Sequence, residues 1–223
     1  MRFARRPGTK KYWQLLIILV MNFLVAPFLE AGLGQVFSSF LLLYAIILIV
    51  RSFPLSRIFL AVYVMIAVLA FSLEAMVELG AIPSLNQVFS ITAQIIFALY
   101  LGGAAYLISQ DIFRAPKITG DMVRGGVSVY LLLGFVWALF YGIIATLDPQ
   151  AFSQPLLSGG SYLDAFHFSF TTLTTLGYGD IYPVSEAARV LANLEAIAGQ
   201  MYSTIFIAIL VGGYLSERTN DAV

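Results

Sequence analysis

The chain has 223 residues and a formal net charge of zero, with 60% hydrophobic and only 11% charged residues. A water-soluble domain of this length is far less apolar, and the mean hydropathy of +0.90 indicates an integral membrane protein. The absence of cysteine excludes disulfide bonds and cysteine metal sites, and the absence of a basic tract beyond the N-terminal tail argues against nucleic acid as a partner.

Six apolar stretches predict membrane-spanning helices, since a span needs roughly 20 mostly apolar residues. They are 12–29, 35–50, 57–79, 86–109, 123–147 and 186–215. The first stretch is longer than the core of a signal peptide, so we expect it to be retained as a span. The last is apolar apart from Glu195 and Gln200. The expected fold class is an all-α integral membrane protein with six transmembrane helices.

The distribution of basic residues predicts the orientation of these spans. With the N-terminus in the cytoplasm, all but one of the 12 lysines and arginines lie on the cytoplasmic side, and Arg189 is the exception. Such an excess of positive charge is the usual determinant of membrane topology. We therefore expect a multi-pass protein of the cell membrane with both termini in the cytoplasm and the polar segment 148–185 outside.

The first four spans predict a transmembrane domain, 12–109, that follows a basic tail, 1–11. Its fourth span, 86–109, contains no lysine or arginine. A voltage-sensing helix needs several arginines at three-residue spacing, so we expect little voltage sensing by this domain. The polar residues 110–122 predict a connector that lies along the inner membrane surface.

Two carboxylates, Glu74 and Glu78, lie four residues apart on one face at the outer end of the third span. Charges inside a membrane are costly and usually face a cavity or a partner. One interpretation is a cluster that senses protons or cations. The other, which we favour for Glu78, is an interfacial pair that reaches water, and Glu74 stays the candidate modulatory residue.

The second half of the chain, 123–223, predicts a helix (123–147), a shorter helix (162–173) and a final helix (186–215). The shorter helix is about 18 Å long, so it enters the membrane without crossing it. Ser161 offers a capping hydroxyl at its start. Its C-terminal end points to the bilayer centre, where the negative end of the helix dipole favours a cation.

This short helix leads into the sequence T-T-L-T-T-L-G-Y-G-D, residues 171–180. A chain aims successive carbonyls in one direction by alternating right- and left-handed backbone conformations, and Gly177 and Gly179 adopt the left-handed one at little steric cost. Rings of such carbonyls replace the hydration shell of a cation. Thr175 adds a hydroxyl oxygen at the inner end, so 174–180 is the candidate filter.

The run Y-L-D-A-F-H-F-S-F, the string T-T-L-T-T-L-G-Y-G-D-I-Y-P after it and the two flanking spans together resemble the pore module of potassium channels. The resemblance covers close to half of the chain. It implies that the Thr175 hydroxyl and backbone carbonyls coordinate K⁺ and that Gly179 opens the outer mouth. The residues that supply these carbonyls are Thr175, Leu176, Gly177 and Tyr178.

The same resemblance implies supporting roles for neighbouring residues. Asp180 is expected behind the filter, bonded into the short-helix region, with Thr171 and Thr174 as further support, and the Tyr178 ring is expected to turn away from the pore. Two positions depart from the family: Leu176 replaces the usual valine, and Thr171 replaces a glutamate that some members pair with the aspartate. Because a carbonyl coordinates the ion at position 176, we expect selectivity to survive the first change.

The final helix carries the candidate cavity and gate residues. Gly199 lies where the family often has a hinge glycine, although close helix packing also favours small residues in membranes. Helical spacing places five further candidates on one face: Gln200, Ser203, Thr204, Ile207 and Val211. This face is polar near the filter and apolar toward the cytoplasm, which fits either a wet cavity above a hydrophobic constriction or a partly polar packing face.

Two other titratable residues lie close to the candidate filter in sequence. Glu195 is about 140° from Gln200 around the helix, so it should not line the pore. We expect Glu195, ionised or protonated, to hydrogen-bond behind the filter or to a neighbouring helix, in a structural role that affects gating. We expect His167 to pack and hydrogen-bond in the short helix rather than to sense pH.

One chain supplies one filter strand, and four are needed to surround an ion, so a homotetramer is expected. The expected function is passive, K⁺-selective conduction without steep voltage dependence. K⁺ is the permeant ligand, no other cofactor is expected, and the partners are membrane lipid and further copies of the chain.

Other functions fit the sequence less well. The alternatives are a non-selective cation channel, a non-conducting sensor or scaffold subunit, and a potassium transporter subunit, although such transporters repeat the pore loop within one chain. No nucleophile–base pair or metal-ligand set points to an enzyme. Only eight residues follow Leu215 in this sequence, so we expect no cytosolic ligand-binding domain in the chain.

Overall fold

The chain is described by a computed structural model over residues 11–25, 56–78, 86–115, 117–157 and 162–220, with single residues between 28 and 50. The helices are α1 (Lys11–Val25), α2 (Arg57–Glu78), α3 (Asn86–Phe113), α4 (Gly120–Leu147), α5 (Leu163–Leu173), α6 (Glu186–Met201) and α7 (Ala208–Asn220). A π-helical segment, Tyr202–Ile207, joins α6 to α7. The expected all-α class is confirmed over these residues, where the β pairing is one isolated bridge.

Three of the described helices are long and apolar enough to cross a bilayer. They are Gln87–Phe113, Gly120–Leu147 and Glu186–Ser216, the last of which runs through the π-helical segment. Lys11–Val25 and Arg57–Leu73 are shorter apolar helices. The predicted second span, 35–50, falls mostly outside the described residues. The described helices are those of a membrane protein.

The connector between α3 and α4 is shorter than the sequence indicates. We predicted a polar segment over 110–122, but α3 continues through Phe113 and α4 begins at Gly120. Thr119 caps the start of α4, since its side chain accepts a hydrogen bond from a backbone N–H of the first turn. Only 114–119 is therefore left to reverse the chain.

Polar residues of the predicted connector are used to hold the start of α1. Asp111 accepts hydrogen bonds from Lys11 Nζ at 2.9 Å and from the Tyr12 hydroxyl at 2.7 Å. Asp121 accepts from the backbone N–H groups of Tyr12 and Trp13, which lie in the first turn of α1. The start of α1, the end of α3 and the start of α4 therefore meet at one end of the helix bundle.

Helix α3 packs antiparallel against α4 of the same chain. At one end, Gln87 Nε2 donates to the Thr146 carbonyl at 3.1 Å. At the other end, Ile112 lies against Gly125, where a Cβ would meet its Cδ1 atom at 3.2 Å. Because lipid is as apolar as the side chains, such close contacts, rather than burial from water, hold membrane helices together.

Buried tyrosines add hydrogen bonds between the helices of the first half. The Tyr63 hydroxyl of α2 donates to the Tyr100 carbonyl of α3 at 2.6 Å, and the two rings stack with centroids 4.7 Å apart. The Tyr100 hydroxyl donates in turn to the Leu43 carbonyl at 3.0 Å. These bonds satisfy polar groups that would otherwise be unpaired in an apolar core.

Candidate functional site

The short helix α5 is fixed against α4 by aromatic packing. The Phe170 ring occupies the space beside Gly134, where a Cβ would lie 2.6–3.1 Å from the ring atoms. Phe135 meets the same ring edge to face, with centroids 5.7 Å apart. Tyr162, at the start of α5, makes no side-chain cap bond, and the predicted capping residue Ser161 lies outside the described residues.

The backbone after α5 alternates in handedness. The residues with positive φ in the described part of the chain are Thr175 (58°), Gly177 (54°) and Gly179 (81°). The left-handed conformation predicted for the two glycines is confirmed, and that of Thr175 was not predicted. A β-branched residue with positive φ is rare and costs about 1–3 kcal/mol, which is a form of strain typical of functional sites. Alternation of this kind is the backbone conformation that the sequence predicts for aiming successive carbonyls in one direction.

Hydrogen bonds to the end of α5 hold the start of this segment. The Thr171 carbonyl accepts from the N–H groups of Leu176 and Gly177 at 2.8 and 3.2 Å. The hydroxyls of Thr171 and Thr174 donate back to carbonyls of α5, at 3.0 and 2.7 Å. No carboxyl group stands at position 171: the Thr171 hydroxyl bonds within α5, and the backbone carbonyl of Thr171 is the group that bonds to the segment.

Residues 174–180 are all exposed in the single chain. The exposed fraction reaches 56% for Leu176 and 69% for Tyr178. Non-helical backbone at membrane depth is tolerated only where protein buries it or where it lines a water-filled path. In the single chain, this segment is therefore not buried by protein.

The outer end of the segment is held by His167 and Asp180. His167 Nε2 lies 2.9 Å from Asp180 Oδ2, and the His167 ring stacks on Tyr178 at 5.9 Å with an interplanar angle of 6°. Loss of hydration raises the pKa of the Asp180 carboxyl, but hydrogen bonds from the Ile181 N–H and from His167 outweigh that effect, so its pKa is lowered from the usual value. The carboxylate form is thus stabilised at the mouth.

Replacing His167 with phenylalanine is expected to raise the pKa of Asp180 toward its usual value, because a ring remains against Tyr178 but the donor is lost. A lowered pKa stabilises the folded mouth above the ordinary aspartate range, near pH 4, and this contribution is lost as the pH falls through the folded-state value. In the variant this contribution should be smaller, and the folded-state carboxyl should take up its proton at a higher pH than in the wild type. NMR titration of isotope-labelled aspartate carboxyls measures it.

The matched control is His167→Gln, whose amide retains an N–H donor. Its Asp180 titration should stay closer to that of the wild type than the titration of His167→Phe. Identical Asp180 titrations in the wild type and His167→Phe would show that the histidine does not stabilise the carboxylate.

The inner end of the segment rests on α6. Gln200 Nε2 donates to Thr175 Oγ1 at 3.0 Å, and the Tyr130 hydroxyl of α4 donates to the Leu173 carbonyl at 3.1 Å. A Cβ on Gly199 would overlap that same Leu173 carbonyl oxygen. The absence of a side chain at Gly199 is thus needed for the close approach of α6 to α5, which is the packing alternative considered above.

The remaining cavity candidates lie in the π-helical segment or just after it. Ser203, Thr204 and Val211 are exposed, Ile207 is half-buried, and the Ser203 hydroxyl donates to the Gly199 carbonyl at 3.0 Å. The prediction of one face assumed an unbroken α-helix. A π-type turn inserts an extra residue, which rotates the following positions by about 100° relative to an α-helix. Val211 is displaced from the Gln200 face by this rotation.

Comparison with known proteins agrees with this geometry. Residues 126–213 match a protein family described as "Ion channel". Over 93 residues, the chain is 33% identical to the voltage-gated potassium channel Kch of Escherichia coli, which covers 39% of this chain and 22% of that protein. The second half of the chain therefore matches a family of ion channels, and the chain is similar to a potassium channel over part of its length.

Two further relatives are potassium channels as well. The chain is 29% identical over 104 residues to the human potassium voltage-gated channel subfamily A member 4, covering 45% of this chain and 16% of that protein. It is 37% identical over 73 residues to the inward rectifier potassium channel Kirbac3.1 of Paramagnetospirillum magnetotacticum, covering 33% and 23%. The chain thus spans under a quarter of each of these relatives. No solved structure matches it significantly.

The three carboxylates singled out in the sequence differ in whether the structure describes their side chains. Glu195 of the pore module is fully buried and bonded to Tyr141 of α4 and Ser169 of α5. The side chains of Glu74 and Glu78 lie outside the described residues. Among the described residues, no cluster of three or more histidine or carboxylate side chains is suited to hold a metal ion.

Sequence reasoning missed several residues that support the pore module. Tyr130, Tyr141 and Ser169 all bond to groups at least 26 positions away. None of them stands in a motif or a periodic pattern of its own. The available signal was indirect: a serine within an aromatic short helix, and tyrosines in the apolar span 123–147 whose hydroxyls need partners.

Proposed function

We propose that four copies of this chain form a K⁺-selective channel whose filter is the segment 175–179, TLGYG. The observation that carries the proposal is the alternation of left-handed φ values at Thr175, Gly177 and Gly179. This alternation aims successive carbonyls to one side, so that four strands can surround a dehydrated ion. The potassium channels among the relatives support K⁺ as the permeant ion.

The exposure of the filter segment in a single chain supports a homotetramer. The filter residues 174–180 are exposed in one chain, and such backbone needs protein or water around it inside a membrane. Four copies related by a rotation axis give four carbonyls at each level of the pore. The cavity candidates Gln200, Ser203 and Thr204 would then line the inner entrance below Thr175, and Gly199 would keep α6 close to the filter.

The proposed membrane arrangement has six spans in the cell membrane with both termini in the cytoplasm. It comprises a four-helix domain over 12–109 and a pore domain over 123–223. Hydrogen bonds that place the start of α1 beside the start of α4 support a common side for these two ends. Because 86–109 carries no basic residue, we propose that conduction is not steeply voltage-dependent.

Ion flux from liposomes that contain the purified protein tests the function. Flux driven by a K⁺ gradient should be fast and blocked by barium, whereas flux driven by a matched Na⁺ gradient should be close to that of empty liposomes. Equal K⁺ and Na⁺ flux would instead indicate a non-selective cation channel. A folded tetramer without flux under either gradient would indicate a non-conducting subunit.

A further inference from the structure

A fully buried polar cluster joins the three helices of the pore module behind the filter. It consists of Glu195 on α6, Ser169 on α5, and Tyr141 with the Gly134 carbonyl on α4. The side chains of Glu195, Ser169 and Tyr141 have no exposed surface. None of these groups faces the ion pathway that the filter segment defines, so conduction itself leaves the cluster unexplained.

Three short contacts connect these four groups. Tyr141 Oη lies 2.5 Å from Glu195 Oε2, Ser169 Oγ lies 2.6 Å from Glu195 Oε1, and Ser169 Oγ also lies 2.8 Å from the Gly134 carbonyl oxygen. Oxygen atoms approach this closely only when a proton lies between them. Three contacts therefore require three protons.

The available donors decide where the third proton resides. Tyr141 and Ser169 carry one hydroxyl proton each, and the Gly134 carbonyl carries none. If Glu195 were ionised, the single hydroxyl proton of Ser169 would have to serve two acceptors, Glu195 Oε1 and the Gly134 carbonyl oxygen. One of these two contacts would then bring oxygen lone pairs together without a proton between them. If Glu195 is protonated, Tyr141 donates to Oε2, Oε1–H donates to Ser169 Oγ, and Ser169 donates to Gly134, so every contact has its proton.

We infer that Glu195 is held as a neutral carboxylic acid, and that it is a positioning residue for the filter. This inference rests on the proposed channel function. The proton that Glu195 donates fixes Ser169, two residues before Thr171, whose carbonyl accepts from the N–H groups of Leu176 and Gly177 in the filter. A neutral acid also avoids the large cost of an unpaired charge buried within a membrane.

The placement of Glu195 along α6 gives the cluster its mechanical role. One turn further along the same helix, Gly199 lies against the Leu173 carbonyl at the end of α5. Helix α5 is therefore held to α6 at two points. One is the hydrogen bond between Glu195 and Ser169, and the other is the close packing of Gly199 against Leu173. Movement of α6 would be transmitted to α5 through both contacts, and so to the filter.

Infrared difference spectroscopy tests the protonation state independently of conduction. The wild-type protein at neutral pH, labelled in its glutamate carboxyl groups, should show a carbonyl band of a protonated acid that is lost in Glu195→Gln. The matched control is Glu186→Gln at the exposed start of α6, which should leave the band unchanged. If the band of the wild type persists in Glu195→Gln, or none is present, the neutral acid is refuted.

Flux measurements on two variants test the positioning role. Glu195→Gln should retain K⁺ flux within about threefold, because its amide still donates to Ser169 and accepts from Tyr141. Glu195→Leu has a similar volume without these groups, and its K⁺ flux should fall by about tenfold or more, since it leaves buried polar groups unpaired. Size-exclusion chromatography verifies assembly of each variant.

The outcomes separate this inference from the proposed function. A wild-type protein without K⁺ flux refutes the channel while the infrared result still reports on the acid. An assembled Glu195→Gln that does not conduct, beside a conducting wild type, refutes the neutral acid as the positioning group. Wild-type flux in an assembled Glu195→Leu refutes the positioning role. If Glu195→Leu does not assemble, Ser169→Ala replaces it, and wild-type flux in that variant has the same meaning.

Discussion

Replacing Gly199 with alanine is expected to separate α6 from α5 and to abolish K⁺ flux. A Cβ at this position would overlap the Leu173 carbonyl oxygen, which belongs to the backbone and cannot rotate away. Tyr130 holds the same oxygen from the opposite helix. Overpacking of this kind costs typically about 1–3 kcal/mol per chain, and a backbone clash relaxes less easily than a side-chain one. Thermal unfolding of the purified protein and K⁺ flux measure the effect.

The matched control for Gly199 is Gly102→Ala in α3. A Cβ at Gly102 meets nothing within 4 Å. Because alanine is favoured over glycine inside a helix by up to about 1 kcal/mol, this variant should be as stable as the wild type or slightly more so. Wild-type stability and flux in Gly199→Ala would mean that the two helices do not meet closely at this position, whereas wild-type stability with altered flux would favour the hinge interpretation of Gly199.

The parts of the site that the sequence predicts are those that local sterics decide. Gly177 and Gly179 adopt positive φ because glycine is the residue that accepts it at little cost, and this rule needs no knowledge of the fold. Thr175 also has positive φ, against the preference of a β-branched residue. Local sterics therefore do not predict the conformation of Thr175, whose hydroxyl accepts a hydrogen bond from Gln200 on another helix.

Features that depend on tertiary contacts could not be predicted. The partners of Glu195 come from two other helices, at separations of 26 and 54 positions, and no periodicity in the sequence joins them. The helix ends behave in the same way. The polar residues at 110–122 suggest an extended connector, but Asp111 and Asp121 find partners on α1, which lets α3 and α4 extend into this region.

The π-helical segment shows a second limit of periodic reasoning. The face of cavity candidates was built by adding 100° per residue from Gln200 onward. The predicted spacing holds through α6, which ends at Met201, and it fails over Tyr202–Ile207, where the backbone bonds follow a wider turn. Apolar residues in this stretch, such as Ile205, give no signal of that change. Positions before the segment are placed more securely by sequence than positions after it.

Replacing Gly177 with alanine is expected to abolish discrimination between K⁺ and Na⁺ while leaving the chain folded. Gly177 has a φ of +54°, and a Cβ there meets nothing within 4 Å in the chain, so the cost is one of backbone conformation. An L-residue in the left-handed region loses about 1–2 kcal/mol, and a tetramer bears this cost four times around one pore. Rotation of the peptide away from the left-handed region relieves the strain and turns a coordinating carbonyl aside. Paired liposome assays with K⁺ and Na⁺ gradients measure the ratio of the two fluxes.

Leu176→Val provides the control, since it changes the neighbouring side chain and leaves the backbone chemistry intact. Leu176 has negative φ, and its side chain is largely exposed in the single chain. If carbonyl oxygens coordinate the ion, this variant should keep the wild-type flux ratio, whereas Gly177→Ala should not. A loss of selectivity in Leu176→Val with normal selectivity in Gly177→Ala would reverse the roles assigned to side chain and backbone. Selectivity would then have to come from packing around the filter rather than from the handedness of its glycines.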